Sequence, residues 1–370
     1  MAAVPDPVEL RRAVEAKAAE LGFALVGVTR AAPTARRAEL ERWIAEGRHG
    51  DMAWLAERVG EMCDVRTLLP GARSVISVAD RYHDGRPDRV EDGRGRGRIA
   101  RYARGKDYHD LVRDRLRKIA RLVRELVPAS TTRNCHDIQP VLEREQAARA
   151  LLGAIGKHTL LLRPGLGSYF LLGEVITDAE IAPSDAPPGW ESAEGASRDA
   201  CGACTRCIDA CPTGAITPWS VDATRCTAYL TIEHRGTIAD EFFGKTGDWW
   251  FGCDICQEVC PHGQPTRASR RLGSSALHAP RLDSIDLLEV LGWSGEDRAR
   301  LVVSSALKRA TLPMMKRNAL LALASVARGS QALRDAACAR CSAILAEGRE
   351  DEIVLAAADA ALRALARSAE

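Results

Sequence analysis

Seven cysteines fall into two spaced runs, and their spacing is that of cluster ligands. Cys201, Cys204, Cys207 and Cys211, followed by Pro212, give C-x-x-C-x-x-C-x-x-x-C-P, the pattern that holds a [4Fe–4S] cube. Cys253, Cys256 and Cys260, followed by Pro261, repeat it with one cysteine missing. Two cubes need eight thiolates, and Cys226, alone between the runs, is the evident eighth. In two-cluster ferredoxins the cysteine before Pro serves the other cluster, because the loop has already turned away from the first. The expected sets are therefore Cys201, Cys204, Cys207 and Cys260 on one cluster, and Cys211, Cys226, Cys253 and Cys256 on the other. Zinc is the competing reading, since paired C-x-x-C units also build tetrahedral thiolate sites. A third cysteine at the next x-x step and a Pro after the last both favour clusters.

Clusters move single electrons, so bond chemistry needs a second centre. No G-x-G-x-x-G follows a strand and there is no P-loop; the Gly93–Gly97 run lies in an Arg-rich loop. The densest remaining candidates are Cys135, His136 and Asp137 ahead of Pro140 and Glu143, then Gly156, Lys157 and His158, then Gly167 to Glu174. Asp137 is either a proton donor or a helix N-cap before Pro140. His109, His136 and Lys157 read more simply as hydrogen-bonded or solvent-facing groups. Cys63, Cys135, Cys338 and Cys341 read as packed thiols, the last two on an Ala-rich helix.

The elements that must position these residues follow from periodicity. Asp6, Pro7 and Glu9 open a helix whose Leu10, Val14, Ala18 and Leu21 share one face. Strand-like runs at 23–29 and 74–79 flank a helical stretch at 39–57, a β, α, β order. A strongly two-faced helix spans 107–126, and further elements are a helix at 141–152 and strands at 159–163 and 169–176. Residues 1–182 thus read as an α/β domain whose strand order stays open, 183–281 as a linker with the ferredoxin-type module, and 282–370 as a helical region. Three Ala- and Leu-rich helices at 306–328, 331–347 and 351–367 suggest a HEAT-like array. The fold class expected is α+β and multi-domain.

Composition adds limits. The chain is 46% hydrophobic with a net charge of +2, has no apolar run able to span a membrane, and lacks a basic, apolar leader over 1–21. The expectation is a cytoplasmic protein without membrane contact, whose cysteines serve as ligands or buried thiols rather than disulfides. No coiled-coil seam is evident, so a monomer is expected. Lys and Arg crowd 86–118, implying a local cationic surface suited to phosphate backbones.

Taken in order, His136 to Arg144, Gly153 to His158, Gly167 to Glu174 and the cysteine runs resemble the epoxyqueuosine reductases, the cobalamin and iron–sulfur enzymes that complete queuosine in tRNA. Tyr102 to His109 also matches that family's Y-x-R-G-x-D-Y-H, and the likeness covers nearly the whole chain. It implies two [4Fe–4S] clusters and cobalamin as cofactors, tRNA bearing epoxyqueuosine in its anticodon region as substrate, and an external low-potential electron donor. It makes Asp137 the proton donor and places corrin contacts at Asp137, Leu161, Leu172, Ala228, Cys253 and Asp254. Near neutral pH that role asks for an Asp137 carboxyl well above its ordinary value of about 3.9, through burial. Two departures bear on the pocket: Ile138 and Gln139 replace a small pair, and Ala154 stands where the family has an aromatic. The other readings are a cobalamin iron–sulfur reductase of a different substrate, such as an organohalide, and a ferredoxin-type electron carrier with no active site.

Overall fold

Asp6 caps the first helix, Pro7–Glu20, by accepting the backbone N–H groups of Val8 and Glu9 at 2.8 and 2.9 Å. The helix buries Leu10, Val14 and Ala18. The structure is a computed structural model, describing residues 5–83, 85–88, 95–185, 199–265, 267, 272 and 274–367. The linker expected near 183–198 and the glycine–arginine run at 93–94 fall mostly outside these residues.

The first sheet has four strands in the order Leu25–Arg30, Ser74–Arg81, Phe170–Thr177, Thr132–Cys135, and every pairing is antiparallel. The α/β reading of this region is corrected accordingly: the helices between the first two strands do not make a parallel crossover, because the chain returns beside its own strand in the opposite direction. One sheet face packs Ile76, Val78 and Val175 on the Pro7–Glu20 and Tyr108–Leu126 helices. The other packs Ala79 on Ala147 and Ala148 of the Glu143–Arg149 helix, and Val75 and Ile176 on Val65 and Leu68.

The helix expected over 39–57 is three short ones, Arg37–Ala45, Ala53–Glu57 and Val59–Cys63. Gly47 and Gly50 break it with φ of +69° and +59°. At Gly50 a side chain would also strike the Tyr229 ring, whose hydroxyl accepts the N–H of Asp51 at 2.6 Å.

Sequence reading missed a second sheet. Arg96–Ile99, inside the basic run, pairs in parallel with Trp249–Phe251 and antiparallel with Ser284–Asp286. One large core then runs from Ile99 through Trp250 and Phe251 to Leu287, Met315 and Leu320. The C-terminal helices are Leu312–Val326, Gln331–Glu347 and Glu352–Ala366, with Cys341 fully buried among them. Thr311 and Pro313 start the first of these, and Gly348 in the left-handed conformation ends the second.

Part of the cationic run expected over 86–118 is turned inward. Arg101 pairs with Asp88, Asp254 and Glu258; Arg104 with Asp88 and Asp283; Arg98 with Asp248 and Glu258; Arg115 with buried Asp80. Buried guanidinium groups require such partners. Of those that face outward, Arg113 and Arg117 pair along their own helix with Asp110 and Asp114, while Arg96, Lys106 and Lys118 stay exposed. Arg89 and Arg94 lie outside the described residues. Among the described residues, no helix is long and apolar enough to cross a membrane.

Candidate active site and cluster loops

Asp137 leaves the Thr132–Cys135 strand in the left-handed conformation, φ +54°, so it caps no helix; the next helix begins at Glu143. That backbone turn, uncommon for a non-glycine residue, leaves the carboxylate at the surface, with 55% of the side chain exposed. Tyr108 donates its hydroxyl to Asp137 Oδ2 at 2.7 Å, and His109 Nε2 lies 2.9 Å from the same oxygen. The other ring nitrogen of His109 lies 2.6 Å from Asp107, the N-cap of the Tyr108–Leu126 helix, and Lys308 donates to Asp107 at 2.5 Å. Helix geometry explains the convergence: Asp107 holds the first turn by accepting the His109 N–H, which leaves Tyr108 and His109 at the helix mouth, stacked 4.1 Å apart.

The protons distribute unevenly. Around Asp137, burial pushes the carboxyl up, but hydrogen bonds from His109 and Tyr108 outweigh it and hold the group below its ordinary range. The elevated Asp137 expected of a proton donor is thus not found in the absence of bound groups. Burial lowers His109, yet the bonds to Asp137 and Asp107 outweigh it, favouring imidazolium. Glu143, whose Oε1 accepts the Asp137 N–H at 2.5 Å, is pushed up to about 8 by burial and then by the Asp137 charge. Glu174 is fully buried with neither carboxylate oxygen hydrogen-bonded, and burial, then Glu143, drive it well above the usual range. A carboxylate without donors is not stable in such a place, so Glu174 is a neutral acid.

The field of Asp137 reaches Tyr102, as does that of Asp254 from the cysteine module and that of Glu233. Asp137 and Asp254 are therefore both near Tyr102. Asp254 itself is turned inward: it accepts the Arg101 N–H at 2.8 Å, the Arg101 guanidinium at 3.2 Å and Gln257 Nε2 at 3.1 Å. A corrin contact at this position would fall to its backbone. Leu161 is a core residue of the cluster containing Ala79 and Ala147, while Leu172, Ile155 and Phe170 form its half-open edge. Gln146 Oε1, on the helix that carries Ala147, is buried without a partner, as is His158 Nε2 on the side of the first cysteine cavity. An apolar shelf with an unpaired polar atom beside it fits a large ring with apolar faces and amide arms. Ala228 is the second residue of the Thr227–Ile232 helix, where its N–H and that of Tyr229 point to Cys226.

All twelve cysteines are free thiols. Cys201, Cys204, Cys207 and Cys260 line one small cavity together with His158, Arg206, Pro261 and His262. Burial raises Cys207, and next come its neighbours Cys201, Cys260 and Cys204. Cys256 is raised by burial and then by Cys226, with Cys211 also in range; Cys253 is raised by burial, then by Cys256, with Cys226 behind it. Cys201, Cys204, Cys207 and Cys260 thus meet at one cavity, while Cys226, Cys253 and Cys256 are mutual neighbours with both Cys207 and Cys211 in reach of Cys256. Backbone N–H groups already point at them: Lys157 to Cys201 Sγ at 3.4 Å and Ala215 to Cys211 Sγ at 3.3 Å. Among the described residues no three His, Cys, Asp or Glu side chains converge as around one ion, and the sulfurs instead ring a space. These features fit cubes with sulfur-directed hydrogen bonds.

Sequence reasoning gave no individual role to Asp107, Tyr108 or Glu143, though they lie in segments it singled out, and missed Lys308. The signal for the first two was the D-Y-H triplet heading a helix; nothing local marks Lys308, which arrives from 201 residues away.

Comparison with known proteins places these features. A 4Fe-4S double cluster binding domain matches residues 200–263, and the epoxyqueuosine reductase QueG model (DUF1730) matches residues 63–137. The epoxyqueuosine reductase of Xanthomonas campestris is 38% identical over 335 residues, covering 88% of this chain and 90% of that one. That of Pseudomonas aeruginosa is 37% identical, covering 86% of each. Among solved structures, epoxyqueuosine reductase from Streptococcus thermophilus superposes with a TM-score of 0.79 at 26% identity, covering 97% of this chain and 91% of that one. An epoxyqueuosine reductase bound to an epoxyqueuosine-modified tRNA-Tyr stem loop gives 0.76 at 26% identity, covering 97% and 99%. The chain belongs to the epoxyqueuosine reductase family.

Proposed function

We propose that this chain reduces epoxyqueuosine to queuosine at the tRNA wobble position, removing the epoxide oxygen as water with two electrons and two protons. The observation that carries the reading is Asp137, an exposed carboxylate fixed by Tyr108 and His109, with Tyr102 in reach of both its charge and that of Asp254; it is taken to line the substrate concavity. Full-length kinship with epoxyqueuosine reductases, one of them seen with a modified tRNA stem loop, supports the substrate.

In this reading Cys201, Cys204, Cys207 and Cys260 hold one [4Fe–4S] cluster, and Cys211, Cys226, Cys253 and Cys256 hold the other. Cobalamin would rest against Leu172 and its neighbours, with Asp137, Leu161, Ala228, Cys253 and Asp254 around it. When bound, the clusters and the cobalt supply low-potential electrons. The chain's own residues supply the protons. Asp137 faces the open site, and His109, charged between Asp107 and Asp137, can pass its proton to Asp137 Oδ2 along the 2.9 Å contact. Glu143 keeps a second proton near neutrality directly behind the Asp137 backbone. Displacing water from the concavity on substrate binding would weaken the hold of solvent on Asp137 and raise its carboxyl towards the value a donor needs.

The working division stays 1–182 for catalysis, 183–281 for electron delivery and 282–370 for a HEAT-like helical support. A soluble, cytoplasmic monomer served by an external low-potential donor fits this division. A dehalogenating reductase or a bare electron carrier is less favoured, since a carrier has no use for the Asp137 constellation. The decisive experiment measures epoxyqueuosine in tRNA from cells lacking the protein: accumulation is expected, and normal queuosine would refute the substrate. Asp137→Asn should abolish turnover with both clusters retained; full activity would remove Asp137 from the reaction.

A further inference from the structure

Lys157 is a buried lysine that the reaction chemistry does not use. It lies in the turn between the two-residue strands Ala154–Ile155 and Leu161–Leu162 and crosses to the first cysteine loop. Its side chain anchors there: Nζ donates to the carbonyls of Gly202 at 2.6 Å and Cys204 at 3.1 Å, and its backbone N–H points at Cys201 Sγ at 3.4 Å. The ammonium also lies 5.5 Å from the centroid of the Trp219 ring, whose backbone N–H donates to Lys157 O at 3.1 Å. Only 8% of the residue is exposed.

Among the described residues, no carboxylate comes within ion-pair range of this ammonium. Two carbonyls and a ring face offer dipoles, which compensate a buried charge incompletely. The missing counter-charge is the tetrathiolate cluster itself, which is net anionic and gains one more negative charge when reduced. Beside the second cysteine set the cation in reach is Arg225, near Cys211, but it is half open to solvent and already paired with Glu241; the buried group beside Cys256 is Asp254, engaged by Arg101 and Gln257. The two cluster positions therefore sit in unequal fields, and charge and hydrogen bonding near the sulfurs are among the levers that set cluster potential.

The geometry points to Lys157 as the residue that raises the reduction potential of the cluster on Cys201, Cys204, Cys207 and Cys260 above that of its neighbour, making it the one that takes and holds the incoming electron. This rests on the ligand sets given under Proposed function. The electron arrives singly from an external low-potential reductant, and the reduced cluster is its only product, so no bond is made or broken at this step.

The test uses the full chain, reconstituted without oxygen, as wild type, Lys157→Gln and Lys157→Arg, with iron content and a mediator titration followed by electron paramagnetic resonance. Lys157→Gln should lower one of two midpoints by the equivalent of about a tenfold change in the reduced-to-oxidised ratio, about 59 mV for one electron, and leave the other in place. Lys157→Arg, which keeps the charge, should stay near the wild type. Unmoved midpoints in Lys157→Gln at full iron would overturn the inference, as would an equal shift in Lys157→Arg. Loss of iron from both variants would overturn it too, because the side chain would then be a clamp on the loop. A wild type holding far fewer than eight irons would instead sink the cluster assignment, and this inference with it.

Discussion

Replacing Glu143 with Gln should flatten the pH dependence of stability through neutrality. The wild-type carboxyl rises from 4.5 to about 8, through burial first and the neighbouring Asp137 charge second. The folded chain then keeps a proton that the unfolded chain releases, so the stabilisation is complete below the unfolded value and disappears as pH climbs through about 8. A rise of this size corresponds to about 4 to 5 kcal/mol at most, and solvent on the open side of the site reduces this to about 2 kcal/mol. Asp137 works in the opposite sense: its lowered carboxyl contributes above its unfolded value and loses that contribution as the medium turns acid. The variant keeps a carbonyl oxygen for the Asp137 N–H, so the 2.5 Å hydrogen bond survives and only the titration is removed. Urea unfolding of both proteins at several pH values between 5 and 8 reads the difference. The wild type should lose about 2 kcal/mol more than the variant across this range. Parallel curves would show that Glu143 is an ordinary ionised carboxylate and that the second proton assigned to the site does not exist.

Cys226→Ser should cut iron from eight to about four per chain on reconstitution, by removing one ligand of a single cluster; eight irons retained would exclude Cys226 as a ligand. His109→Asn removes the main group holding Asp137 low and the proton source behind it, and should slow turnover by about 10²-fold, with the alkaline limb of the pH–rate profile displaced to lower pH. An unchanged profile would take His109 out of the proton path. Arg317, fully buried, donates to the carbonyls of Leu230, His234 and Gly236 at 2.7, 2.9 and 2.6 Å, so Arg317→Met strands all three and should lower stability by about 3 kcal/mol in urea unfolding. A wild-type urea midpoint would mean that water satisfies those carbonyls instead.

Local rules were readable where the chain settles its own conformation. Asp6 and Pro7 mark a helix start from side chain and ring alone, and the 3.6-residue stripe of Val112, Leu116, Ile119 and Val123 buries as its spacing requires. The double-cluster domain was readable because a cube imposes its spacing on the loop. Partners distant in sequence were not. Arg101 looks like a surface cation among its neighbours, and only the return of Asp254 and Glu258 across more than 150 positions turns it inward. Asp137 could be recognised as chemistry, yet its charge state depends on His109, which sits 28 residues earlier at a helix mouth. The strand at Arg96–Ile99 was hidden because its burial depends on Trp250 and Leu287, which crowd Gly97 so closely that no side chain would fit there.

That hidden strand explains how electrons and protons can be delivered to one place. The residues preceding Tyr108 and His109 leave the Arg96–Ile99 strand directly, and the residues preceding Cys253 and Asp254 leave the Trp249–Phe251 strand beside it in parallel. Two neighbouring strands of one sheet thus launch the proton-bearing helix and a cluster loop in the same direction. Arg101 ties the two exits together through Asp88, Asp254 and Glu258, with only 4% of its side chain exposed. A reaction that must add electrons and protons to a single bound group requires its sources to keep fixed separation. Here that separation is set by backbone pairing and a buried ion network rather than by a flexible joint between modules.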